Sequence, residues 1–158
     1  MGVVLGANKI NAGLDMMSGD ANLTDDQSST YRLSYYFAHA YYGLMDYFVN
    51  NPAEGVMDIR LDADVVCIRN SDGTTKMSIK PQYHFFLPQN APSGLGDPYG
   101  QELDVEIHWG LYPKSNLVFG ASLFLASDGA VKLPAAALAL NQDYKAGYLL
   151  YFMPTFNF

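Results

Sequence analysis

The sequence is poor in cysteine, in charged residues and in long apolar runs. A single cysteine, Cys67, excludes an internal disulfide framework and the usual cysteine-rich zinc sites. Charged residues are 16% of the 158 residues, against roughly 25% in an average soluble domain. Acidic residues outnumber basic ones by 16 to 9, which argues against a nucleic-acid partner. The longest apolar run, 133–140, is far shorter than the roughly 20 residues of a membrane-spanning helix.

The start of the chain lacks the features of a secretory signal. It reads Met-Gly-Val-Val-Leu-Gly-Ala-Asn-Lys, with no basic start, no long apolar stretch and no cleavage pattern. On this basis we expect either a cytosolic protein or a piece of a longer chain. Mean hydropathy is −0.02, a value that membrane β-barrels share with soluble proteins because their strands alternate polar and apolar residues.

Alternation of apolar and polar side chains is the strongest pattern in the sequence. It occurs at 56–67, 75–85, 101–111, 116–125 and 144–158, and a weaker example lies at 9–16. Half-buried strands show this period and helices do not. The pattern predicts an all-β protein, an antiparallel meander of about six long strands, with residues 1–158 as a single unit. The strands are about as long as the roughly 9–11 residues of a membrane strand and exceed the soluble mode of five or six.

The predicted connections alternate between short and long. The short ones, 69–74 and 112–115, carry the turn signals Asp-Gly and Tyr-Pro-Lys-Ser. The long ones span 18–53, 88–100 and 127–142. Short turns on one side and long extracellular loops on the other are typical of bacterial outer-membrane barrels.

Alternation alone does not say which face of the sheet meets water. A soluble sandwich or small barrel would place the apolar face inside, whereas a membrane barrel would place it in lipid. Tyr83 and Phe85 lie near one end of the strands, and Trp109 and Phe156 near the other, as two interfacial aromatic bands would. We therefore predict a transmembrane barrel in the bacterial outer membrane, with outer-membrane lipid as a partner. The alternative is a soluble β-sandwich that binds carbohydrate.

Several motifs resemble those of the alginate-export family of outer-membrane barrels. They are Gly-Leu-Asp-Met-Met-Ser-Gly-Asp at 13–20, Tyr-Tyr-Phe-Ala-His-Ala-Tyr-Tyr-Gly-Leu-Met-Asp-Tyr-Phe at 35–48, Pro-Gln-Tyr-His-Phe-Phe at 81–86 and Gly-Gln-Glu-Leu-Asp-Val at 100–105. The resemblance implies that this chain is the C-terminal segment of a larger barrel, with Met1 internal. It also implies passive export of a polysaccharide. Phe158 resembles the C-terminal signal that the barrel-assembly machinery reads.

The predicted polar face carries the candidate translocation surface. Arg60, Lys76 and Lys80 are the residues we expect to contact a passing solute, because an anionic polysaccharide needs a positive path. The alternative is that cross-strand ion pairs on this face only brace the sheet. Acidic residues are the more numerous, which speaks against an anionic substrate. The basic set is Lys9, Arg60, Lys76, Lys80 and Lys145, and the acidic set is Asp15, Asp58, Asp62, Asp64, Glu102, Asp104 and Glu106.

The aromatic-rich stretch 31–48 is the second candidate contact surface. Tyr41 and Tyr42 could stack on sugar rings and hydrogen-bond their hydroxyls, with His39 and Asp46 as further contacts. The interpretation we favour is that these rings pack a loop folded into the barrel mouth. A hydrogen bond between His39 and Asp46 would then lock that loop.

Nothing in the sequence favours an enzyme. The three histidines are scattered, and no serine stands in a recognisable nucleophile motif. The acidic stretch 20–26 lacks the glycine and the terminal glutamate of an EF-hand, so we expect no metal and no cofactor. The sequence therefore predicts a porin-like channel for a polar solute or polysaccharide. A surface-adhesion barrel that does not conduct is a further alternative.

Overall fold

The structure is a computed structural model that describes residues 1–22, 24, 27–32, 42–90, 97–112, 114–127 and 146–156. Within these ranges seven strands form one antiparallel sheet in the order of the sequence, and there is no helix. None of the described residues therefore forms a helix that could cross a membrane. The all-β antiparallel meander is confirmed. The strands are β1 Gly2–Leu5, β2 Asn8–Ser18, β3 Gly55–Arg69, β4 Thr75–Leu87, β5 Gly100–Tyr112, β6 Ser115–Ala126 and β7 Ala146–Phe156.

One strand, β1, was not predicted. It pairs with β2 across the two-residue turn 6–7, with Gly2 opposite Asn11 and Leu5 opposite Asn8. Its Val-Val-Leu run does not alternate, and all four of its residues are exposed, so the period-two pattern could not reveal it. The other six strands have 11 to 15 residues, close to the lengths that the sequence predicts. The described sheet is open, with β1 and β7 at its edges.

The short and the long connections lie at opposite ends of the sheet. The connections 6–7, 70–74 and 113–114 join strands at one end, and 19–54, 88–99 and 127–145 join them at the other. This arrangement follows from the antiparallel order and agrees with the predicted alternation. The register shifts fall near the short-turn end, between Val66 and Arg69 and between Gly110 and Tyr112.

Two prolines lie within strands without a bulge at either position. Pro81 pairs opposite Val105 and Pro154 opposite Leu117 without a shift of register. Proline lacks the N–H that a central strand donates to both neighbours. On the β3 side of Pro81 the recorded pairing is interrupted between Asp62 and Val65. Pro154 lies in β7, an edge strand with one partner, where proline is tolerated.

The polar face of the sheet is more buried than the apolar face, which is the opposite of a soluble sandwich. On the apolar face, Leu61 is 53% exposed and Leu150 is 74% exposed. On the polar face, the side chains of Asp58, Glu102 and Asp104 are completely buried. Apolar groups are normally the ones withdrawn from water. The polar face is thus the covered one.

A small hydrophobic core covers the long-loop end of the polar face. Phe48 lies at its centre, with ring centroids 4.4 Å from Phe86 and 5.7 Å from Tyr99. Strand ends and connections both contribute to it. The cluster consists of Met17, Tyr47, Phe48, Val56, Phe86, Tyr99 and Phe124.

Candidate functional site

The central part of the polar face carries a network of paired charges on β2 and β3. The Arg60 guanidinium lies 3.1 Å from Asp15 on β2 and 3.2 Å from Asp62 on its own strand. Asn11 donates a 2.7 Å hydrogen bond to the other oxygen of Asp62. Because alternate residues of a strand point to one face, the register of β2 and β3 brings these groups together.

This network borders an open groove of about 230 Å³. Lys80 on β4 closes one side of it, with its ammonium 4.0 Å from Asp64 on β3. Among the described residues, the side chains of Lys9 and Gln82 have no hydrogen-bonding partner, so both present unused polar groups to the groove. The lining residues are Lys9, Asn11, Arg60, Asp62, Ala63, Asp64, Lys80 and Gln82. The groove combines donors and acceptors with nearly balanced charge.

A buried cluster of acids around His84 lies nearer the long-loop end. Nδ1 of His84 is 2.8 Å from a carboxylate oxygen of Asp58, and Nε2 is 3.6 Å from one of Asp104. The Phe86 ring stacks on the imidazole at a centroid distance of 5.6 Å. The pairing of β3, β4 and β5 places these groups on three adjacent strands. The imidazole therefore bridges two buried carboxyl groups.

Residues 42–48, which we call the crossing segment, lie over this cluster. The backbone N–H of Met45 donates to Oε1 of Glu102 at 2.9 Å, and that of Leu44 donates to Oδ2 of Asp104 at 3.3 Å. Successive backbone N–H groups of this kind form an anion-binding concavity. Here the acceptors are the carboxyl groups of Glu102 and Asp104 on β5, so the sheet itself holds the segment.

Three residues of the crossing segment have left-handed backbone conformations. Tyr42, Gly43 and Asp46 have φ values of 62°, 86° and 57°, all in the left-handed region. An ideal Cβ on Gly43 would lie 2.6 Å from the carboxyl atoms of Glu102. A side chain at position 43 would therefore strain the backbone and push the Glu102 carboxyl group out of its position.

Aromatic contacts extend the crossing segment across the polar face as far as β6. Tyr47 packs on Phe124 of β6 at 4.5 Å between ring centroids, and Phe48 packs on Phe86 of β4. Burial, with the negative charges of Asp15 and Asp58, raises the pKa of Tyr42 to about 12. That phenol is therefore neutral at any physiological pH. The segment runs from the β2–β3 side, near Tyr42, to β6.

A second polar contact crosses the sheet nearer the short-turn end. The Tyr151 ring of β7 covers Gly120 of β6, and its hydroxyl hydrogen-bonds to Glu106 of β5. Glu106 also lies 3.1 Å from Nε2 of His108. Glycine at position 120 leaves room for the ring, since an added Cβ would lie within it. This contact ties three strands together on the polar face.

The structure brings together only some of the predicted site residues. Arg60 and Lys80 meet at the groove, and each forms an ion pair with a carboxylate of a neighbouring strand. Lys76 is exposed near the short-turn end and does not line the groove. Tyr42 and Asp46 belong to the crossing segment, while His39 and Tyr41 lie outside the described residues. The predicted His39–Asp46 hydrogen bond also lies outside them, as do Lys145 and Phe158.

Sequence reasoning missed the importance of four residues. The alternation puts Asp58, His84, Glu102 and Asp104 on the polar face, as the structure does, but it does not show that they are buried. Glu102 and Asp104 accept hydrogen bonds from residues 57 and 60 positions away, and Asp58 contacts His84 on the neighbouring strand. The signal in the sequence was that three neighbouring strands each place at least one ionisable side chain on the same face.

We also searched the described residues for a metal site and compared the chain with known proteins. The described part of the chain contains no group of three or more His, Cys, Asp or Glu side chains placed to hold a metal ion. No protein family, no curated protein and no solved structure matches the chain.

Proposed function

We propose that this chain forms part of the wall of a bacterial outer-membrane β-barrel, whose lumen lets a polar solute pass by diffusion. The polar face would line the lumen and the apolar face would meet lipid. The long connections would be extracellular and the short turns periplasmic.

The single observation that carries this proposal is the sense of burial. Large apolar side chains remain exposed along the whole outer face, from Ile10 and Leu14 on β2 to Phe152 on β7. Soluble monomers rarely expose contiguous apolar patches larger than a few hundred Å². In the hydrocarbon of a membrane, exposing an apolar face carries no free-energy penalty.

The open edges of the sheet support a barrel larger than this chain. A barrel removes unpaired edges, which otherwise invite aggregation. The seven strands of the described residues are fewer than the eight that give an interior just filled by side chains. In the proposal, strands from the rest of a longer protein pair with β1 and β7.

The groove supports a hydroxyl-rich solute. Its cations Arg60 and Lys80 already face carboxylates, so their charge is largely compensated. Guanidinium, carboxylate and amide groups side by side suit the paired hydroxyls of a sugar or another polar solute. A polysaccharide of the alginate type, as the sequence motifs suggest, is the more specific form of the proposal, and further basic residues from other strands would favour it.

Two other functions compete with this proposal. A soluble carbohydrate-binding sandwich would need a second layer over the apolar face. An adhesion barrel would share the fold but would not conduct. Conductance therefore separates the adhesin from the channel, and solubility separates the sandwich from both.

The decisive experiment uses the full-length protein purified from outer membranes and inserted into planar bilayers. We expect stable single-channel currents, and folded protein that migrates differently before and after heating in detergent gels. A protein that stays soluble without detergent would contradict the barrel. A membrane-inserted protein that never conducts, even as the variants described below, would contradict the channel and favour adhesion.

A further inference from the structure

We propose that the crossing segment is a fixed constriction of the lumen, held in place by Glu102 and Asp104 and setting the size of solute that passes. This inference rests on the proposed channel function and concerns its selectivity. It goes beyond the wall itself, because the residues that narrow the path come from a connection rather than from a strand.

The location of the segment is the first argument. It lies on the polar face, the side that would line the lumen, and it spans several strands. Met45 and Leu44 bond to β5, Tyr47 packs on β6 and Phe48 on β4. A chain segment that bridges strands across their lumen-facing side necessarily reduces the open cross-section.

The way the segment is held is the second argument. Its backbone N–H groups bond to two buried carboxyl groups, so the buried donors and acceptors satisfy each other. Gly43, Tyr47 and Phe48 are buried. A segment with polar anchors and an aromatic core is fixed, whereas a mobile loop would have neither.

Buried carboxyl groups beside the segment are the third argument. One oxygen of Asp58 is buried without a hydrogen-bonding partner, and the buried carboxyl groups of Glu102 and Asp104 hydrogen-bond to each other. Burying such groups is costly. The cost is understandable if the carboxyl groups are retained to hold the segment and to keep a polar surface beside the remaining opening.

Glycine substitutions provide a matched test. Gly43 and Gly73 have nearly equal φ values, 86° and 83°, so alanine strains the backbone equally at both. An added Cβ at position 43 meets the Glu102 carboxyl, whereas at position 73 it meets nothing within 4 Å. Gly43→Ala should displace the segment, and Gly73→Ala should leave it in place.

Single-channel conductance of the full-length protein is the measurement. We expect Gly43→Ala and the double variant Glu102→Ala/Asp104→Ala to raise the conductance about twofold or more, since conductance grows with the open cross-section. Larger neutral sugars should then pass in liposome-swelling assays. Gly73→Ala should conduct like the wild type. Glu102→Gln keeps an oxygen acceptor for the backbone N–H of Met45, so this variant should retain most of the constriction.

Thiol labelling gives a readout that does not depend on conductance. Leu44 is only 6% exposed, so Leu44→Cys, placed in a Cys67→Ser background, should resist a polar maleimide. Adding Glu102→Ala/Asp104→Ala should make it reactive while heat-modifiable migration in gels still reports a folded barrel.

The outcomes separate this inference from the proposed function. If the wild type conducts and the released variants conduct equally, the constriction is wrong and the channel stands. Leu44→Cys that is equally reactive with and without its anchors also overturns the constriction. A silent wild type with conducting variants supports it in its strongest form, a closed lumen. Silence of all the proteins overturns the channel and the constriction together.

Discussion

At the scale of single residues, the same side-chain type has opposite surroundings on the two faces. Phe48 is fully buried between Phe86 and Tyr99 on the polar side. Phe119, on the apolar face, is 42% exposed and touches Phe152 at 5.1 Å between ring centroids. The contrast gives a direct comparison of a phenylalanine in the core with one exposed on the apolar face.

We expect Phe48→Ala to lower the free energy of unfolding by about 3–5 kcal/mol, the usual cost of removing a buried phenyl ring. Phe119→Ala should cost only about 0.5–1.5 kcal/mol, the value of an aromatic pair. Urea unfolding of the refolded protein in lipid vesicles measures both. Equal losses would mean that the core around Phe48 is not packed as described.

Arg60 supplies the cation of the groove that faces two carboxylates. Arg60→Gln removes that charge and leaves Asp15 and Asp62 uncompensated. We therefore expect the permeability ratio of cations over anions to rise about twofold or more, seen as a shift of the reversal potential in a salt gradient. Lys114→Gln removes the same charge from an exposed position in a short turn, and it should leave the ratio unchanged. If both variants shift it equally, the groove does not line the path.

At the scale of the element, substitutions on β3 and β4 test whether the apolar face meets lipid. Leu61, in the middle of β3, is 53% exposed on the apolar face. Leu61→Lys should destabilise a membrane barrel by about 2–4 kcal/mol if it lies near the bilayer midplane, and it should reduce the amount assembled in outer membranes. In a soluble protein the same change at an exposed site would be nearly neutral.

The matched control for Leu61→Lys lies on the neighbouring strand and the opposite face. Gln82 pairs across from Asp62 and Asp104, so Gln82→Lys brings the new ammonium near carboxylates. It should assemble normally. Normal assembly of both variants would indicate that the apolar face does not contact lipid.

The strand elements show how far the sequence alone leads. Six strands and the alternation of connection lengths could be predicted because a sheet with unlike faces imposes a period of two on its sequence. β1 could not, because its exposed residues follow no pattern. The crossing segment could not either, because its place depends on carboxylates some 57 to 60 positions away in sequence.

At the scale of the whole molecule, the one tryptophan provides a probe of the environment. Trp109 lies on the apolar face of β5 near the short-turn end and is 39% exposed. We expect lipids brominated near the headgroup to quench its fluorescence more strongly than lipids brominated near the chain ends, as an interfacial residue requires. Quenching by aqueous iodide alone, with no effect of brominated lipid, would contradict the membrane assignment.

In the molecule as a whole, the sequence pattern fixes the strands but does not fix which face of the sheet is covered. The sequence by itself determined six of the seven described strands, their antiparallel order and the division into polar and apolar faces, because these depend on local spacing along each strand. Only the tertiary structure decided which face is covered, that Asp58, His84, Glu102 and Asp104 form one buried cluster, and that residues 42–48 lie over it. Those features arise from contacts between distant parts of the chain, and period-two alternation is the same whichever face is covered.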